Sequence, residues 1–172
     1  DRVSAADLEE GDGIDICPRF QQPEPQHFDP ERTSPLSIIP GEHSRGAGDD
    51  ALITVIQYSS FQCQDCGEMV VVLKEMTDRY PDEIRVVFRH LPQGVNGRLA
   101  AAAVEAGRQG KFWPFHDQLL AASAGGLPRE VLIERARLAG LDVEALEAAL
   151  ADHRHRDAVM TDVAAALSLG AN

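Results

Sequence analysis

The hydrophobic and polar positions fall into two different patterns on either side of residue 51. From Leu52 to Tyr58 the chain reads Leu-Ile-Thr-Val-Ile-Gln-Tyr, rich in β-branched residues and with little polar alternation. That is the signature of a strand covered on both faces. A loop, Ser59 to Cys63, follows. From Cys66 to Tyr80 the apolar residues Met69, Val70, Leu73, Met76 and Tyr80 recur at spacings of three and four. This spacing predicts an amphipathic helix, stopped by Pro81. Ile84 to Leu91 reads as a second strand, closed by Pro92. Strand, helix and strand in so short a span make a βαβ unit with a right-handed crossover. The remainder predicts helices at Leu99–Arg108, Lys111–Ala122, Pro128–Ala139, Asp142–Leu150 and His155–Leu169. Pro114 fits in the first turn of its helix, Asp142 caps the next but one, and Gly110, Gly140 and Gly170 follow helix ends.

Residues 1–50 look different. They hold six of the ten prolines (Pro18, Pro23, Pro25, Pro30, Pro35 and Pro40), which excludes a long helix. They also carry 12 acidic and 4 basic side chains, so most of the net charge of −12 belongs to them. This composition predicts an extended acidic arm over 1–50. Within it Leu36–Ile39 is a candidate edge strand, and Gly41–Asp50 reads as a loop. The 44% apolar content of the 172 residues is that of an ordinary globular protein. Net acidity argues against a nucleic-acid partner, because phosphate binding needs clustered Lys and Arg. No run of 18 apolar residues is present to cross a membrane.

The chemistry concentrates at Cys63-Gln64-Asp65-Cys66. This pair lies just past a strand and at the start of a helix, where unpaired N–H groups and the positive end of the helix dipole favour an anion. A thiolate at Cys63 is stabilised there, and the thiolate is the attacking species. Cys66, a turn further in, is the candidate resolving thiol. Cys-x-x-Cys beside a βαβ pattern signals a thioredoxin-like redox site. Two other readings stand beside it. The pair is half of a zinc site, although the remaining cysteine, Cys17, lies in the arm, and His90 and His116 make no short ligand spacing. It is also the spacing of a structural disulfide, although so short a loop constrains the unfolded chain little. Elsewhere, Phe112, Trp113 and Phe115 read as helical core, His153-Arg-His-Arg156 as a solvated helix junction, and His90 as a satisfied polar residue at a strand end. Cys17 is the odd cysteine, either free, paired outside the chain or within reach of Cys63.

Several segments taken together resemble the DsbA-like thiol–disulfide oxidoreductases of the thioredoxin superfamily. The segment Ile56 to Gly67 is similar to that family's active site, and Val86 to Pro92 to its next strand and exit. Ala100 to Ala106 and Gly110 to Leu120 resemble its inserted helices, one Ala-rich and one containing Phe-Trp. Gly140-Leu-Asp142 and the helix from Asp157 to Gly170 also fit, so the resemblance covers about residues 44 to 172. It implies an α/β thioredoxin-like fold with an inserted α-helical domain. The chain then divides into the arm (1–50), a βαβ half with the cysteines (51–92), and the helical insertion with the helix leading back to the core (93–172).

The resemblance further implies disulfide exchange with protein or peptide thiols in an extracytoplasmic compartment. No cofactor and no metal are implied, only a redox-recycling partner, membrane-bound in such a compartment. Cys63 and Cys66 are the implied catalytic residues, and Gln64 and Asp65 the redox-tuning dipeptide. Strongly oxidising members carry an uncharged or cationic pair between their cysteines. Here an Asp65 carboxylate opposes the helix dipole, which predicts a higher thiolate pKa and a less oxidising disulfide. The family continues past the point matching Asn172 into a cis-proline loop and further strands, so the C-terminal strands are expected to be missing from this chain. The rival is strand exchange in a dimer. An alternative of another class is a non-catalytic thioredoxin-like binding module of a larger membrane-associated or transport protein.

Overall fold

The computed structural model describes residues 43–62, 66–92, 97–122 and 127–171. Among the described residues, three strands and six helices run in the order β1 (His43–Gly46), β2 (Ile53–Ser59), α1 (Cys66–Arg79), β3 (Ile84–His90), α2 (Gly97–Arg108), α3 (Phe112–Ala122), α4 (Arg129–Leu138), α5 (Val143–Ala151) and α6 (Arg156–Ser168). The two expected strands and six expected helices all form, with ends within two residues of their expected positions. This is a thioredoxin-like α/β arrangement with a helical insertion between β3 and α6. The candidate strand Leu36–Ile39, Cys17 and most of the acidic arm lie outside the described residues.

The sheet order is β1-β3-β2. β2 pairs with β3 in parallel, from Ile53 opposite Ile84 to Ser59 opposite His90, as the βαβ reading requires. β1 pairs antiparallel with the other side of β3, from His43 opposite Phe88 to Gly46 opposite Arg85. Two expectations change here. The stretch 41–50 is not all loop, because residues 43–46 form β1. The strand enclosed on both faces is β3, every residue of which is buried, whereas β2 is mostly half-buried and Ile53 is exposed. β3 is central because both neighbours pair with it. Gly46 ends β1 at φ 86°, and a Cβ there would collide with the Ile84 carbonyl and the Thr77 side chain. Only glycine permits that close approach.

The core between the helices is continuous with the sheet through Phe61 and Phe88. α2 contributes Leu99, Ala102, Ala103 and Ala106, against which Phe112, Phe115 and Leu119 of α3, Leu132 and Ala136 of α4, and Leu146 of α5 pack. The alanine run explains how α2 serves as the shared helix. Alanine is the strongest helix former, and its small side chain lets α3, α5 and α6 all approach. Gly107 on the same helix touches the His43 ring of β1, leaving no space for a larger residue. Asp142 caps α5 as expected, its carboxylate accepting the Ala145 N–H at 3.0 Å. Pro128 sits one residue before α4, at its N-cap position, instead of within it.

Candidate active site

The register of β2 and β3 decides where the chemistry can sit. Both strands end together at Ser59 and His90. Beyond Ser59 the chain turns through Ser60, Phe61 and Gln62, and α1 begins at Cys66. The segment joining them starts from the carboxyl end of β2, which lies beside that of β3, and leads to the N-terminus of a 14-residue helix. That is the crevice position at which open α/β sheets place reacting groups. Cys63, Gln64 and Asp65 lie outside the described residues, and Cys66 is placed as the first residue of α1.

The turn before Cys63 is held from below. Phe61 is buried, with its ring 5.5 Å from Phe88, 5.7 Å from His116 and 6.2 Å from His90. Gln62 is exposed, and its N–H donates to Ser60 Oγ at 3.3 Å. One aromatic anchor thus fixes the loop to the core while the next residue turns outward.

Two histidines, His90 and His116, lie against this anchor, and a third, His43, adjoins His90. His43 of β1 stacks on Phe112 at 3.8 Å with the rings 5° from parallel. His90 is fully enclosed, and its ring lies 5.9 Å from that of His43. His116 of α3 is also fully buried, and its Nδ1 lies 2.9 Å from Asp117 Oδ1. Burial pushes the His43 imidazole down to about 4; burial together with the neighbouring His43 and His116 pushes that of His90 down to about 3. His116 is also lowered by burial, against the opposing pull of Asp117. All three rings are therefore neutral at physiological pH. Among the described residues, no group of three or more His, Cys, Asp or Glu is arranged to hold a metal ion.

The end of β3 is tied to α6 by one carboxylate. Asp162 Oδ1 accepts from Arg89 Nη1 at 2.9 Å, and its Oδ2 accepts the His90 backbone N–H at 2.9 Å. Both charged side chains are largely buried. α6 thereby fixes the strand end on which the site stands.

Two expectations are corrected here. His90 is not a satisfied polar residue, since neither ring nitrogen has a hydrogen-bond partner among the described residues. The junction 153–156 is only partly solvated. His153 and Arg154 are exposed, but His155 is buried and its Nε2 lies 2.6 Å from the buried Glu105 carboxylate. Burial alone would raise the Glu105 carboxyl, yet the hydrogen bonds from His155 and Gln109 hold it below the usual carboxylate range. Phe112 and Phe115 are buried as expected. Trp113 is half-buried and reaches β1, its Nε1 donating to the Ser44 carbonyl at 2.7 Å while the Arg45 guanidinium lies 4.3 Å over its ring. Sequence reasoning did not find Phe61, Ser60 or Asp162. The available signal was the equal length of the two parallel strands, which puts Ser59 and His90 side by side.

Comparison with known proteins agrees with this geometry. The thioredoxin family matches residues 40–172. The fold is similar to a thioredoxin-like oxidoreductase from Silicibacter pomeroyi, with a TM-score of 0.68 and 27% identity over 78% of this chain and 77% of that one. It is similar also to DsbA2 of Pseudomonas aeruginosa, with a TM-score of 0.63 and 28% identity over 78% of each chain. Among curated proteins, the Na(+)/H(+) antiporter NhaA of Herminiimonas arsenicoxydans is 36% identical over 132 residues, which is 76% of this chain and 21% of that protein. NhaA 3 of Salinispora tropica is 37% identical over 129 residues, covering 73% and 19%. The chain thus spans about a fifth of the length of these antiporter relatives. On the match over residues 40–172, the sheet order and the inserted helices, the chain belongs to the thioredoxin family, as a DsbA-like member of that superfamily.

Proposed function

We propose that the chain is a thiol–disulfide oxidoreductase that exchanges disulfides with protein or peptide substrates through Cys63 and Cys66. The observation that carries this reading is the place of Cys63-Gln-Asp-Cys66, between the carboxyl end of β2 and the first turn of α1, in a fold shared with disulfide oxidoreductases. The Cys63 thiolate attacks one sulfur of a substrate disulfide. A Cys63–substrate bond forms as the substrate S–S bond breaks, and the departing thiolate takes a proton from water. Cys66 then gives up its proton and attacks Cys63 Sγ. The intramolecular disulfide forms, the second substrate sulfur leaves, and two electrons have passed to the substrate. Run backwards, the same steps oxidise a dithiol. A redox partner must reset the pair, and exchange of this kind suits an extracytoplasmic compartment.

The Asp65 carboxylate, beside a thiolate at a helix N-terminus, makes the disulfide less oxidising than that of the strongest oxidants. Equilibration with glutathione should therefore give a potential towards the reductant or isomerase range, and a strongly oxidising value would refute this tuning. The exchange itself is tested by insulin reduction and peptide oxidation, with wild type active and Cys63→Ala inactive.

A second reading is favoured by one observation, the 36–37% identity to segments of proteins named as Na(+)/H(+) antiporters. On that reading the domain is a binding module of a larger transport protein. Equal results for wild type and Cys63→Ala would favour it.

A further inference from the structure

The His90 ring is fully enclosed, yet both of its nitrogens lack a partner among the described residues. A neutral imidazole offers one donor and one acceptor, and each left unmade carries a desolvation cost. His90, with Ser59, Ser60, Phe61, Pro92, Leu99 and Ala100, lines a cavity of ≈ 10 Å³, room for about one water molecule. A buried water needs two or more polar partners, and the residues lining this cavity carry them. Ser60 Oγ accepts the Gln62 N–H, which leaves its hydroxyl proton free to donate. The Ser59 carbonyl accepts from the Leu91 N–H at 2.9 Å and keeps a second lone pair.

The titratable groups around the ring leave it neutral. β1 presents His43, and α3 presents His116, whose Nδ1 is engaged by Asp117. Asp162 of α6 takes the backbone N–H of His90 and the Arg89 guanidinium, not the ring. α2 presents Leu99 and Ala100 to the cavity, and β2 presents Ser59.

We infer that His90 and Ser60 hold one buried water at the carboxyl ends of β2 and β3, and that this imidazole–water–hydroxyl chain positions the turn that delivers Cys63. Ser60 Oγ is the joint, bonded on one side to the water and on the other to the Gln62 N–H, one residue before Cys63. His90 is a positioning residue that acts through Ser60. Its effect on exchange rests on the oxidoreductase reading, whereas the water site does not.

The test uses the full chain. Nuclear magnetic resonance of the wild type should show a neutral His90 ring in one tautomer, with its N–H close to a long-lived water. A ring without a bound water overturns the inference. His90→Phe should keep a cooperative melt, lose the water signal, and raise the pH at which the Cys63 thiolate appears in ultraviolet absorbance. Its exchange with glutathione should slow by about tenfold, the loss of one net hydrogen bond. His90→Gln, which keeps a donor and an acceptor, should stay close to wild type. A folded His90→Phe with unchanged thiolate titration and rate overturns the positioning role. Should His90→Phe fail to fold, Ser60→Ala decides in its place, because it removes the joint and leaves the ring. The same upward thiolate shift supports the role, and an unchanged titration overturns it. If wild type and Cys63→Ala are equally inactive in exchange, the oxidoreductase reading fails, while the water signal and thiolate titration still judge the site.

Discussion

The helical half and the sheet half of this molecule treat their polar and apolar groups differently. In the helical half most polar groups find partners close by, although buried His116 Nε2 and Arg135 Nε lack a hydrogen-bond partner among the described residues. Asp142 caps α5, Gln109 bonds both Glu105 and the Asp142 backbone, Arg129 pairs with Glu147, and buried His155 meets buried Glu105. In the sheet half, buried nitrogens of Arg45 and His90 and the Gln57 oxygen lack hydrogen-bond partners among the described residues. Apolar exposure follows the same division. Of the nine large apolar side chains exposed among the described residues, six (Leu52, Ile53, Met69, Val71, Val72 and Tyr80) lie on β2, α1 and their flanks. The two halves share one core, since Phe61 and Phe88 of the sheet half belong to the cluster that packs around α2. Among the described residues, the sheet half holds more of the buried polar atoms without partners and most of the uncovered apolar surface, spread along β1, β2 and α1 and their flanks.

That contrast can be broken most forcefully with acid. Unfolded histidine binds a proton near 6.5, whereas His43 in the fold does so only at about 4 and His90 at about 3. Between those values the unfolded chain binds more protons, so stability is full above about 6.5 and falls as the pH drops through the window. Each histidine contributes a slope of up to about 1.4 kcal/mol per pH unit. Urea titrations from pH 7 to 4 should show a falling midpoint, and the fall should be smaller in His90→Phe. A midpoint independent of pH would mean that burial does not hold His43 and His90 neutral in the fold.

The seam between the halves comes next. Asp162→Ala leaves the buried Arg89 guanidinium without this carboxylate and should cost about 3–5 kcal/mol. The loss should appear as faster amide exchange at the end of β3, and a uniform loss of protection would argue against a localised seam. Within the helical half, Leu132→Ala removes a side chain with no exposed surface, at a cost of about 2–5 kcal/mol. Asp142→Ala should cost about 1 kcal/mol, read as a small drop in the urea midpoint, because it removes one cap. At the other extreme, Val71→Ser on the exposed face of α1 should change stability by no more than about 0.5 kcal/mol. A larger loss would show that this face is covered in solution.

The helices were legible because their signals are local. The three-four spacing of Met69, Leu73, Met76 and Tyr80, the Asp142 cap and the glycines after helix ends each act within a turn or two. β1 was not legible. His43-Ser-Arg-Gly46 has no β-branched or large aliphatic residue, and it becomes a strand through its pairing with Val86 and Val87 and the Trp113 bond to Ser44. The ranking of β2 and β3 by burial failed for a related reason. Both segments are equally apolar, and only the arrival of β1 on one side of β3 makes that strand central. The cysteine pair was recognisable by spacing and position alone. The surroundings of His90 were not, since they depend on Ser59 lying opposite it in the parallel register and on residues from α2, α3 and α6.

Asp162 also imposes an order in time. Its two oxygens close on Arg89 and His90 across more than 70 residues of intervening chain. Everything between them, α2 to α5, can collapse through shorter-range contacts, whereas this clasp must wait for the long loop to close. On a ribosome the end of β3 emerges well before the residue that fastens it. The end of β3 is therefore expected to be among the last parts of the described fold to be secured, after the platform that supports it has formed.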